Sequence, residues 1–240
     1  MTRIATISLL LLTLVLGPAW TNAFASEHSP ARKPVSGKRI IDYYGDSTVW
    51  GYASGVGSQV VKPAPAVFAE ALPASLKYEV RNEGVSGTTA CQLLNGTDGK
   101  HPAWKSQMAA SDAGIIILNH AINDQWKDDL PTYRSCLLAL AQIAKKSGKK
   151  VIFETPNPTR DSGKDGLDTY VNAMKAAALQ AQVPVIDQYQ YLTNYLQGSS
   201  PTTICPDGLH PNDAVYIMKG KFAAKAFLQL FHRKQAAQAM

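Results

Sequence analysis

Gly114-Ile115-Ile116-Ile117-Leu118 is an unbroken apolar run, and it limits the possible fold more than any other stretch of the chain. A strand with one wet face alternates apolar and polar residues, whereas a strand covered on both faces can be apolar throughout. The run therefore predicts a central strand with helices packed on either side of its sheet. Residues 39–44 (RIIDYY), 78–81, 151–153 and 183–186 read as four further strands. Helical stretches at 64–72, 89–94, 131–146, 166–182 and 212–232 lie between and after them. The stretch 131–146 has the clearest periodicity: Tyr133, Leu137, Leu140, Ala141 and Ala144 share one face, and Lys145, Lys146 and Gly148 mark its end. Strand and helix alternating at this spacing predict an α/β fold, a three-layer α/β/α sandwich around a five-stranded parallel sheet. In such sheets chemistry gathers in the loops beyond the carboxyl ends of the strands. Polar residues just past the apolar runs are thus the first candidates for function.

Four segments qualify. Gly45-Asp46-Ser47 follows the first strand, where a Ser in a sharp strand-to-helix turn would expose its hydroxyl at the sheet's rim; alternatively Asp46 or Ser47 simply caps the next helix. Asn82 to Gly87 follows the second. A Gly there lets the backbone approach a substrate oxygen and donate its N–H, or merely makes a tight turn. Asn119-His120-Ala121-Ile122-Asn123-Asp124 follows the third. An Asn amide at a strand end can donate to a developing oxyanion or form an Asx-turn, and His120 is a weaker candidate for substrate contact. Asp207-Gly208-Leu209-His210-Pro211-Asn212 precedes the last helix. A carboxylate and an imidazole three residues apart can bond within one turn of chain. That bond fixes the tautomer and stabilises the imidazolium formed when the ring takes a serine proton. Trp50, Tyr52 and Trp126 flank these segments and are candidate walls of a substrate cleft, with core packing as the alternative.

A nucleophile, two oxyanion donors, then an acid and a base thus occur in that order along the chain. In this the sequence resembles the SGNH (GDSL-type) hydrolase superfamily, whose four blocks centre on Ser, Gly, Asn and His. Gly45-Asp46-Ser47 matches the first block and Val85-Ser86-Gly87 the second; Ile122-Asn123-Asp124 matches the third and Asp207-Gly208-Leu209-His210 the last. The chain departs from the pattern at Ala121, where the third block usually carries Gly. The resemblance implies a flavodoxin-like SGNH hydrolase fold in which Ser47 attacks an ester carbonyl. His210 would remove the Ser47 proton and deliver it to the leaving alcohol, and Asp207 would orient His210. The N–H groups of Ser47 and Gly87 and the side chain of Asn123 would form the oxyanion hole. Asp46 and Asp124 are assigned to loop architecture. No metal and no organic cofactor is implied. The expected substrate is a small-molecule or glycan ester, with short acyl groups on carbohydrates or small alcohols preferred. The same triad could serve a cell-envelope O-acyltransferase, a lysophospholipase or a thioesterase; a non-enzymatic carbohydrate-binding module is the remaining reading.

The N-terminus carries a separate signal. Met1-Thr2-Arg3 is positive, residues 4–16 are almost wholly apolar, Gly17-Pro18 breaks the run, and Ala23-Phe24-Ala25 places small residues where a signal peptidase reads them. The run is short for a bilayer span. The expectation is a signal peptide at 1–25, a tether at 26–37, the hydrolase domain at 38–234 and a tail at 235–240. That organisation would place an exported protein in the periplasm or outside the cell, with no stable membrane insertion after cleavage. A chain that is 45% hydrophobic and 18% charged is neither disordered nor fibrous. Its net charge of +6 is not gathered into a basic stripe interleaved with aromatics, so no nucleic-acid partner is expected. Oligomeric state is left open. Cys91, Cys136 and Cys205 have no metal-ligand spacing. An exported chain permits one disulfide; Cys91 with Cys136 is preferred because the fold makes their helices neighbours, and three buried thiols are the alternative.

Overall fold

Ile115 to Leu118 are buried on both sides, in the middle strand of a five-stranded sheet. The structure is a computed structural model that describes residues 39–238; the expected signal peptide 1–25 and tether 26–37 lie outside the described residues. In chain order the elements are β1 (Arg39–Gly45), α1 (Ser47–Trp50), α2 (Ala64–Ala71), β2 (Tyr78–Gly84), α3 (Ala90–Asn95), α4 (Trp104–Ala110) and β3 (Ile115–Asn119). They continue as α5 (Asp124–Lys127), α6 (Leu130–Lys146), β4 (Lys150–Glu154), α7 (Leu167–Ala181), β5 (Val185–Ile186), α8 (Gln188–Leu196) and α9 (Asp213–Gln238). The strand order is β2-β1-β3-β4-β5 and every pairing is parallel. This is the flavodoxin-like order, with its switch point between β1 and β3.

The pleat sorts each strand's side chains onto two faces. Tyr44, Ile116, Leu118, Val151 and Phe153 pack with residues of α3, α4, α6 and α7. Ile41, Tyr43, Ile115, Ile117, Ile152 and Ile186 pack with residues of α2 and α9. Burying each large aliphatic side chain contributes roughly 1.5–3 kcal/mol, which is why a run of four cannot be left on a wet face. Edge-to-face rings tie the second layer together: Tyr43 on Phe68, Phe68 on Phe227, and Tyr78 on Phe227, with centroids 5.3–5.7 Å apart. The α/β sandwich expected from the sequence is the fold observed.

Besides the four-residue α1 and α5, two longer helices escape the sequence reading. α4 has seven residues, no side-chain cap, and buries only Trp104 and Met108, too little to establish a period. α8 (QYQYLTNYL) buries Leu192 and Leu196 one turn apart behind a polar sequence, although Asp187 accepts from Gln190 N at its start. α9 extends to Gln238, into the tail expected at 235–240. Among the described residues, no helix is long and apolar enough to cross a membrane.

Cys91 of α3 and Cys136 of α6 form a disulfide, with Cα atoms 5.2 Å apart, and Cys205 is free and buried. The bond closes a loop of 45 residues. On chain-entropy grounds its removal costs about 2–4 kcal/mol. A Cys91→Ser/Cys136→Ser variant is therefore expected to unfold at clearly lower denaturant, with an unchanged midpoint contradicting this.

Candidate active site

The ends of β1, β2 and β3 meet at one edge of the sheet, because Gly45 is in register with both Gly84 and Asn119. The chain turns sharply after Gly45. A Cβ at that position would lie 2.3 Å from Val49 Cγ2 and 2.4 Å from Asn119 O, so only Gly fits between the strand end and α1. Asp46 caps α1: its Oδ1 accepts from Thr48 N and Thr48 Oγ1 at 2.8 and 2.9 Å. Ser47 is the first residue of that helix, so its N–H has no intrahelical acceptor.

Ser47 Oγ lies 3.0 Å from His210 Nε2, and His210 Nδ1 lies 2.8 Å from Asp207 Oδ2. The three residues thus form one continuous hydrogen-bonded chain. Asp207 is held by its own loop, because its Oδ1 accepts the backbone N–H groups of Leu209 (3.0 Å) and His210 (2.8 Å). Burial alone would raise its pKa, but these N–H groups and the His210 ring outweigh burial and hold it at about 2. A carboxylate fixed in the ionised state stabilises an imidazolium beside it. The arrangement can therefore draw a proton from the Ser47 hydroxyl into the ring.

The segments around Gly87 and Asn123 are braced against each other. Gly87 has φ +76°, a left-handed value that suits Gly, and a Cβ there would meet nothing within 4 Å. Lys127 Nζ donates to Gly87 O at 2.6 Å, and Asn123 Nδ2 donates to Thr88 O at 3.1 Å. Asn123 Nδ2 has a second hydrogen to offer. Asp124 is buried and accepts from Ala90 N at 2.8 Å, tying α5 to α3. Ala121, where the sequence departs from Gly, takes φ 159°.

Of the weaker candidates, Trp50 lines an open cleft of about 510 Å³ with Gln59, Asn82, Gly84, Val85, Ser86 and Lys100. Trp126 is 45% exposed on α5. His120 is different. It is 1% exposed, and burial pushes its pKa down to about 4, which places a neutral ring in the core rather than at a cleft. Tyr52 lies against the His210 ring, with centroids 4.2 Å apart at a tilt of 32°. The segment after β4 also reaches the site, although no motif in the sequence marks it. Arg160 N donates to Gly208 O at 2.8 Å, and Asn157 Nδ2 donates to Leu209 O at 3.1 Å. Its position past a strand's carboxyl end was the one available signal.

A second Asp-Gly-x-His sequence, Asp98 to His101, repeats the local geometry of Asp207 to His210. Asp98 Oδ1 accepts from the N–H groups of Lys100 and His101, and Asp98 Oδ2 lies 2.6 Å from His101 Nδ1. Its far nitrogen, however, faces Glu83 Oε2 at 3.2 Å and no hydroxyl. Burial would lower the His101 pKa, but the hydrogen bonds to Glu83 and Asp98 raise it, as befits an ion-pairing residue. Among the described residues, no cluster of His, Cys, Asp and Glu could hold a metal ion.

Residues 43–216 match the GDSL-like Lipase/Acylhydrolase family. No curated protein matches the chain. Among solved structures, an acetylxylan esterase from Geobacillus stearothermophilus is 19% identical with a TM-score of 0.62, over 80% of this chain and 93% of that one. A carbohydrate acetylesterase from Sinorhizobium meliloti is 18% identical with a TM-score of 0.61, over 80% and 99%. An alpha/beta hydrolase from the metagenome of Lake Arreo, Spain, is 21% identical with a TM-score of 0.56, over 80% and 94%. At these identities the likeness is one of fold.

The Asp207 environment has a consequence for pH. Its folded pKa lies below the ordinary 3.8, so it adds stability above about pH 4 that is lost as pH falls through about 2. Carbon NMR of the Asp207 carboxyl is expected to give a midpoint near 2; an ordinary aspartate midpoint would contradict the loop geometry.

Proposed function

This chain belongs to the GDSL-like lipase/acylhydrolase family and is a carboxylic ester hydrolase of SGNH type, and we propose that it acts through an acyl-enzyme on Ser47. The observation that carries this reading is the unbroken chain from Ser47 Oγ to His210 Nε2 at 3.0 Å and from His210 Nδ1 to Asp207 Oδ2 at 2.8 Å. As Ser47 Oγ bonds to the ester carbonyl carbon, His210 Nε2 takes its proton. The tetrahedral oxyanion accepts hydrogen bonds from Ser47 N–H, Gly87 N–H and Asn123 Nδ2. Collapse breaks the bond to the alcohol oxygen, which leaves with the proton from His210. Water then attacks the acyl-enzyme with His210 again as base, releasing the carboxylic acid and returning the proton to Ser47.

On substrate, the cleft lined by Trp50, three residues along the chain from Ser47, supports a polar alcohol half. Trp50 offers an aromatic surface there among the amides of Gln59 and Asn82 and the hydroxyl of Ser86. The two acetylesterases of the same fold also support short-acyl carbohydrate esters, since their names place acetylated glycans among known substrates of this architecture. Export remains part of the proposal, supported by the character of residues 1–25 and by a disulfide, which needs an oxidising compartment.

Hydrolysis of p-nitrophenyl esters by the purified protein tests the reading. Ser47→Ala is expected to lower kcat by about 10⁴-fold or more, and Asn123→Ala by about 10²–10³-fold. A Ser47→Ala protein with the unaltered rate would remove Ser47 as nucleophile. Across acyl lengths from acetyl to palmitoyl, kcat/KM is expected to be highest for acetyl, and a maximum at palmitoyl would reject the short-acyl assignment.

A further inference from the structure

Lys219 is a lysine almost without water: on α9 it is 1% exposed. Removing an ammonium from solvent is expensive unless it is paired and hydrogen-bonded, and a Met would fill much the same space without that penalty. Packing alone does not account for the charge. Lys219 Nζ donates to Asn157 Oδ1 at 3.0 Å. Asn157 is itself fully buried just beyond β4, and its Nδ2 donates to Leu209 O at 3.1 Å and Pro158 O at 3.2 Å. Leu209 lies between Asp207 and His210, so the lysine reaches the imidazole's loop through one intervening amide.

The same cation also feels two buried carboxylates, Glu154 and Asp46. Glu154 is otherwise satisfied, by Tyr43 Oη and by Asn119 Nδ2 at 2.8 Å. Asp46 is not: its Oδ2 is buried without a hydrogen-bond partner among the described residues, and it immediately precedes Ser47.

We propose that Lys219 is a positioning residue, fixing the Asp207–His210 loop through Asn157. The inference rests on the assignment of Ser47, Asp207 and His210 made above. The test compares Lys219→Met and Asn157→Asp with Ser47→Ala and His210→Ala, measuring kcat and KM on p-nitrophenyl acetate alongside melting temperature. Asn157→Asp keeps the shape and keeps an acceptor for Lys219, but sets a carboxylate oxygen against Leu209 O. It is expected to fold, to hold KM within about twofold and to lose about tenfold in kcat, as misplacement of a reacting group does. Lys219→Met is expected to lose at least as much; if it fails to fold, Asn157→Asp decides. Unaltered kcat in Asn157→Asp, or a rise in KM alone, overturns the positioning role while inactive Ser47→Ala and His210→Ala leave the site assignment standing. Activity in Ser47→Ala would instead strike the assignment itself.

Discussion

Water reaches neither face of β3, and the rest of the chain is arranged around that condition. Its apolar residues need a layer of helices above and below, and parallel strands are joined by crossovers that supply both layers. Polar backbone and polar side chains are then driven to the strand ends, where the chain leaves the sheet. Gly45, Gly84 and Asn119 end neighbouring strands in matching register. That register brings Ser47 and the segments carrying Gly87 and Asn123 to one edge.

What happens at that edge is decided by partners more than by residue types. Asp98 to His101 and Asp207 to His210 share a sequence pattern and the same backbone capture of the aspartate. One imidazole ends on Glu83 and is an ion-pair member; the other ends on a hydroxyl. Only the second can relay a proton from a nucleophile. Buried charge is handled similarly: Glu154 is satisfied by Tyr43 and Asn119, and Lys219 donates to Asn157.

Much of this was legible in the sequence, for identifiable reasons. β1, β3 and β4 were visible because a strand buried on both faces shows as an apolar run whatever its neighbours do, whereas the edge strand β2 is partly buried and shows no such run. Ser47, Gly87, Asn123, Asp207 and His210 stood out because each followed a run or preceded the last helix, and their order carried more information than any one of them. His120 sat at a strand end too, yet lies in the core, because a strand end alone does not say which way the next residue turns. α4 and α8 were not legible, since two buried apolar residues one turn apart make no period. Asn157 and Lys219 were invisible for another reason: they are single polar residues in unremarkable contexts, and their contact spans 62 positions of chain.

Acylation of Ser47 is the central step of the proposed reaction, and that intermediate can be weighed directly. Rapid acid quench of the purified protein with p-nitrophenyl acetate, followed by mass spectrometry of its peptides, reads it. A mass increase of one acetyl group is expected on the peptide holding Ser47, absent when His210 is replaced by Ala. An acetyl group found on another residue, or turnover with no acylated peptide under conditions where deacylation is slow, would contradict it.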